Sequence, residues 1–230
     1  MIYTNTQPLF LPCTYMMNRL LQCHTVVIME EAQFHRKGHH ARALLATPSG
    51  HKHCSLSLHK ANRKPLNEIV VASPDSMPKV VSQIEGTYRS APYFKEVWPQ
   101  LGHALLKASC YSHLVDIDHH LMRFALDISG GQFVKLVRST KLVPHRHDSA
   151  SEWMAELGKQ AGCKVYYAGG ASIDAYIDPE DFHRRGMDFK AQQYIMPAYE
   201  NSAGLEGDGW ISFIDPLFHL GIERYREIVR

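Results

Sequence analysis

Thr25-Val26-Val27-Ile28-Met29-Glu30-Glu31 is an unbroken apolar run, β-branched at its centre, that stops on two acids. Such a run without polar alternation marks a strand covered on both faces, as in a parallel sheet. Its acids then fall at the carboxyl edge, where open α/β sheets place their binding loops. A second stretch supports the same architecture. Residues 149–161 carry Trp153, Met154, Leu157 and Ala161 at helical spacing, with Glu152, Glu156 and Lys159 on the other side and Gly162 as the stop. Val165-Tyr166-Tyr167 follows as a short strand that opens into Ala168-Gly169-Gly170-Ala171-Ser172. Helix, glycine, strand and Gly-rich turn make half of a βαβ unit. The expected fold is α/β and Rossmann-like, a mainly parallel central sheet with flanking helices.

Working outward, Gln7 to Pro12 forms a Pro-punctuated turn leading into a short helix through Leu21. Gly38, Gly50 and the alternating Ser55-Leu56-Ser57-Leu58 indicate a small antiparallel excursion, and Ile69-Val70-Val71 reads as a further strand. Helices are expected over 77–88, 93–108, 116–126 (capped by Asp116 or Asp118) and 178–184, with strands over 132–137 and 188–194. Asp215 precedes Pro216, a residue suited to the first turn of a helix. At 230 residues, 45% of them hydrophobic and 21% charged, the chain has the composition of one globular domain spanning 1–230.

The formal net charge is +2 with 15 histidines neutral, so overall electrostatics does not call for nucleic acid. A local basic tract runs from His35, Arg36 and Lys37 through Arg42 to Lys60, Arg63 and Lys64. It is a solvated face or an anion contact. The loop His145-Arg146-His147-Asp148, ahead of the best-defined helix, offers another anion contact. Five cysteines, odd in number and without a CxxC pair, fit reduced thiols in a cytoplasmic protein. Cys13, near a helix start, is the one candidate nucleophile among them, with an inert buried thiol as the alternative. The doublets His39-His40 and His119-His120 do not supply three convergent ligands, so no metal is expected, and no bound cofactor either. Nor does the sequence contain a GxSxG elbow, a full dinucleotide fingerprint, a P-loop or a long apolar span, so no membrane partner is expected.

Collinear motifs nevertheless give the chain a relative. Gln7-Pro8-Leu9-Phe10-Leu11-Pro12, then Ile28-Met29-Glu30-Glu31-Ala32-Gln33-Phe34, Asn67-Glu68-Ile69, Tyr88 through Phe94 and Arg138-Ser139 follow in order. They continue through Gly169 to Ser172 with Tyr176, Asp178, Phe182 and Gly186, and end on Ser212, Asp215, Leu217, Phe218 and Gly221. In this order the sequence resembles the WbqC-like family over nearly its whole length. It departs where Ala41 and Ala43 flank Arg42 in place of asparagines and where Glu30 and Glu31 replace aspartates. Ser76 and Val80 also stand where the family has Trp and His. A fainter similarity is to the adenylate-forming nucleotidyltransferase fold, whose HxGH signature is absent.

The resemblance implies transfer of an amino acid such as glycine, or an acyl group, onto an activated sugar or nucleotide acceptor, with surface-polysaccharide synthesis as the family's context. Glu30 or Glu31 would take the proton of the attacking amine, and Arg42 and Arg138 would stabilise the polarised acceptor or leaving group. Gln33 and Asp215 would orient the amino group, while Gly169, Gly170 and Ser172 let the backbone approach an anion. Gln7, Phe10, Asn67, Ser139 and Tyr199 complete the expected substrate contacts. Each has a structural alternative: strand-end acids meeting nearby arginines, a surface cation at Arg138, a helix cap at Asp215. Two rival expectations are a transferase acting on a modified base in phage DNA, with the basic tract holding phosphates, and a ligand-binding protein without turnover.

Overall fold

The structure, a computed structural model, describes residues 1–142, 149–169, 177–201 and 210–230. Five strands, β1 (Ile2–Thr6), β2 (Thr25–Ile28), β5 (Lys135–Arg138), β6 (Val165–Ala168) and β7 (Asp188–Ala191), form one sheet in the order β5-β2-β1-β6-β7. Every pairing is parallel, with Tyr3 opposite Thr25, Thr25 opposite Lys135, Ile2 opposite Val165, and Val165 opposite Asp188. All five carboxyl ends therefore share one edge. A two-stranded antiparallel hairpin of β3 (Arg42–Thr47) and β4 (Gly50–Ser55) is the excursion anticipated from the sequence, centred a few residues earlier.

Helices cover both faces, as a parallel sheet requires. On one side α1 (Thr14–Leu21), α2 (Ser76–Tyr88), α3 (Phe94–Ala108), α4 (Leu114–Ile128) and α7 (Ile214–Ile228) share a core with Val26 and Ile28. On the other, α5 (Ala150–Gln160) and α6 (Pro179–Arg184) bury Trp153, Leu157 and Phe182 against Tyr3, Val27 and Tyr166. Val27 thus faces opposite to its two neighbours, and the apolar run of β2 is apolar because both of its faces are buried. α5 sits close on the sheet because Gly158 has no side chain: a Cβ there would collide with the Tyr3 ring.

Several expectations need correction. The central strand β1 lies ahead of the first element read from the sequence. Its Thr4, Asn5 and Thr6 are polar yet buried, so hydropathy does not mark them. Ile69-Val70-Val71 is not a sheet strand: Leu66–Glu68 is a 3-10 turn, and Val70 and Val71 form only isolated bridges to His113 and Leu58. Asp118 does not cap α4, which begins after His113, but lies inside the helix with no exposed surface. Asp215 also is no cap. It lies in the first turn of α7 behind Phe213, fully buried.

Neither carboxyl oxygen of Asp118 has a hydrogen-bond partner among the described residues, and burial pushes its pKa well above the carboxylate range. The folded protein therefore keeps a proton that the unfolded chain releases near pH 4. The stability this contributes is complete below that pH and is lost as pH rises towards the folded pKa. Asp118→Asn cannot ionise, so its unfolding temperature relative to wild type should rise between pH 5 and pH 8. A difference that stays constant across that range would show that Asp118 does not titrate in this way.

Candidate functional site

The chain leaves β1 through α1 to reach β2 on one side, and later returns through α5 to reach β6 on the other. Loops diverging in this way open a crevice beyond the carboxyl ends of β1 and β6, the topological switch point where α/β sheets bind ligands. A cleft of about 680 Å³ occupies this position. Asn5, Thr6 and Gln7 form its floor, Arg19 comes from α1, Trp153 and Met154 from α5, Tyr166 from β6, and Met29, Ala32 and Gln33 from the loop after β2.

Packing fixes the walls. The Tyr166 ring stacks on Phe182 at 4.8 Å, and its hydroxyl donates to Asn5 Oδ1 at 3.0 Å. Arg19 is 8% exposed, with Nη2 lying 3.6 Å from Met16 Sδ. At the end of β6, Gly169 passes so near the guanidinium that a Cβ would lie 2.6 Å from Nη1. A side chain there would have to displace the guanidinium.

One strand over, the carboxyl ends of β2 and β5 assemble a second polar group. Glu30, 3% exposed, accepts a hydrogen bond from Thr140 Oγ1 and lies 3.6 Å from Arg138 Nε. Its backbone N–H donates to Ser139 Oγ at 3.3 Å, while the Ser139 hydroxyl donates to Glu31 Oε2. Arg138 also pairs with Asp116 of α4. Burial, aided by the charge of Arg138, lowers the His119 pKa against the opposing pull of Asp116 and Glu30, so the imidazole is neutral at pH 7.

The structure thus brings Glu30, Glu31, Arg138 and Ser139 together, with the Asn67 N–H donating to the Glu30 carbonyl at 2.9 Å. Gln7 and Gln33 line the neighbouring cleft, and Gly169 packs on Arg19. Phe10 is a core residue without exposed surface. Arg42 faces elsewhere: its guanidinium donates to the carbonyls of Gly38 and Lys37, and it lines a separate cleft of about 720 Å³ with Arg36 and Lys60. Asp215 and Tyr199 form another set, in which Asp215 accepts from Tyr88 Oη at 2.8 Å and Tyr199 Oη at 2.6 Å, with His219 at 3.5 Å. Gly170, Ser172 and the 145–148 loop lie outside the described residues.

Sequence reasoning passed over Asn5, Arg19 and Thr140, and it considered Asp116 only as a helix cap and His119 only as a metal ligand. The one available signal was Arg19, a lone cation in the apolar helix Thr14–Leu21. Cys13 is no activated thiol, since burial raises its pKa. The same cause pushes Cys23 and Cys54 up to about 12. His120 turns its Nε2 towards the Ala104 carbonyl at 3.1 Å, whereas His119 faces Arg138. Among the described residues no three His, Cys, Asp or Glu side chains converge as metal ligands, and no helix is long and apolar enough to cross a membrane.

Sheet order, switch-point cleft and strand-end acids define an open α/β protein with a cleft at its carboxyl edge. The pattern of the WbqC-like protein family matches residues 7–227, and the chain belongs to that family. No curated protein matches it.

The Asp215 set generates a stability prediction. Burial opposes the His219 imidazolium, but its hydrogen bonds and charge interaction with Asp215 outweigh this and raise its pKa. Its stabilising effect is complete below the unfolded pKa of about 6.5 and fades as pH rises through the folded value. Asp215→Ala should cost about 3 kcal/mol in chemical unfolding, because two buried hydroxyls lose their acceptor and the imidazole, though it keeps the residue 215 carbonyl, loses its carboxylate neighbour. The loss should be greater at pH 6 than at pH 8. A loss below about 1 kcal/mol, under the ordinary value of a single hydrogen bond, would contradict this structural role.

Proposed function

We propose that the protein is a group transferase that joins an amino acid or acyl group to an activated acceptor such as a sugar or nucleotide. The observation that carries this is the position of Glu31 and Ser139. They are hydrogen-bonded to each other at the carboxyl ends of β2 and β5, and Glu31 shares its loop with Met29, Ala32 and Gln33, which line the switch-point cleft. Membership in the WbqC-like family supports the same direction.

In the transfer step an acceptor amine attacks the acyl carbon of the donor. The N–C bond forms, the bond to the leaving group breaks with its electron pair, and the amine's proton passes to the Glu31 carboxylate. Glu31 is only partly buried and retains acceptor capacity beside its bond from Ser139. Glu30 is a positioning residue: Thr140, Arg138 and the fold around it already engage its carboxylate. Arg42, seated in its own cleft, has no part in this step.

The test is transfer of a labelled glycyl or other acyl thioester to nucleotide-activated amino sugars, with the thiol as leaving group. Glu31→Gln should lower turnover by about 10²–10⁴-fold with an unchanged unfolding temperature. Retention of wild-type turnover in that variant would refute the mechanism. A nucleic-acid acceptor is the second possibility, favoured by Arg36, Arg42 and Lys60 around the other cleft. Under that alternative, affinity for short DNA would fall steeply with salt and with Arg36→Ala.

A further inference from the structure

Arg19 is a buried cation without a counter-charge among the described residues. Its side chain takes part in no ion pair among the described residues, its Nε has no hydrogen-bond partner, and its one hydrogen-bond contact is to a thioether sulfur. An uncompensated charge at 8% exposure is costly to the folded state. Asn5, 5% exposed, lies in the same cleft and has an equally unpartnered Nδ2, while its Oδ1 is engaged by the Tyr166 hydroxyl. Two buried side chains, each with a donor that has no partner among the described residues, thus line one open cavity, and no Asp or Glu is among its described lining residues.

We infer that Arg19 and Asn5 anchor the oxyanion end, carboxylate or phosphate, of a small-molecule ligand held in the switch-point cleft. The guanidinium supplies the charge and N–H donors, and Asn5 forms the polar wall beside it. At about 680 Å³ the cleft holds far more than an oxyanion, so the anion is one terminus of a larger molecule whose body lies against Trp153, Met154 and Leu9. The absence of an acid from the described lining argues against a site built for a zwitterion's ammonium group. The inference rests on the proposed function only in taking the same cleft as the substrate site. Anion binding is measured without turnover, so either can fail alone.

The experiment follows thermal unfolding of wild type and Arg19→Met in acetate, in inorganic phosphate and in chloride at matched ionic strength. At about ten times its dissociation constant, the preferred oxyanion should raise the wild-type unfolding temperature by about 3 °C or more over chloride. Acetate alone acting would assign a carboxylate, phosphate alone a phosphate, and both a site that reads only the oxyanion. Arg19→Met should lose the response, and in chloride it should be at least as stable as wild type, because an isolated charge is removed from the interior. No response of wild type to either anion, an equal response in both proteins, or a less stable Arg19→Met in chloride would overturn the inference.

Discussion

The hydrogen bonding of β1 to two parallel neighbours, β2 and β6, is the constraint on which the rest depends. Parallel neighbours cannot be reached by a tight turn, so each must be approached through a covering helix. Because the two approaches leave in opposite directions, the edge between β1 and β6 stays open. The position of α5 above this edge is equally determined. Gly158 removes the steric barrier to close approach, and the Tyr3 hydroxyl donates to the Met154 carbonyl. The strand that holds the sheet together thereby also sets one wall of the cleft.

Remote segments of the chain close around this frame. Leu11 adopts φ 47°, an uncommon conformation for a branched side chain, and its carbonyl accepts from Ser212 Oγ at 2.9 Å. Phe213 N–H donates to the Pro12 carbonyl at 2.9 Å, and His40 Nδ1 lies 3.0 Å from the Pro8 carbonyl. The opening Gln-Pro turn and the closing Ser-x-x-Asp segment, which carry much of the family resemblance, are therefore in direct contact. Asp215 extends this junction by gathering hydroxyls from Tyr88 and Tyr199.

The parts of the fold that were legible in the sequence were those in which burial and hydrophobicity coincide. Val26, Val27 and Ile28 announced β2, and the Trp153–Met154–Leu157 spacing announced α5. By contrast β1 could not be read in this way, because Thr4, Asn5 and Thr6 are buried polar residues whose environment exists only after the sheet forms. Ile69-Val70-Val71 misled for the converse reason: apolar content draws it inward beside α4 without giving it a strand partner. At the candidate site, motif order located Glu30, Glu31, Arg138 and Ser139, which come from strand ends that the fold aligns. Arg19 and Asn5 eluded it, since nothing in a sequence distinguishes a buried arginine with a partner from one without.

The register of β1 also bears on how the chain comes to be folded. Ile2 pairs with Val165, and Thr25 of the adjacent strand pairs with Lys135, so the sheet joins segments that leave the ribosome far apart in time. Until the segment carrying β6 has emerged, one edge of the central strand has no partner, although α1 and β2 are already present to cover the other. Topologies rich in such distant pairings close slowly, and their open strand edges are prone to intermolecular pairing. Ile2–Thr6 is β-prone, uncharged and free of proline, so its open edge is a segment on which that hazard falls until β6 arrives.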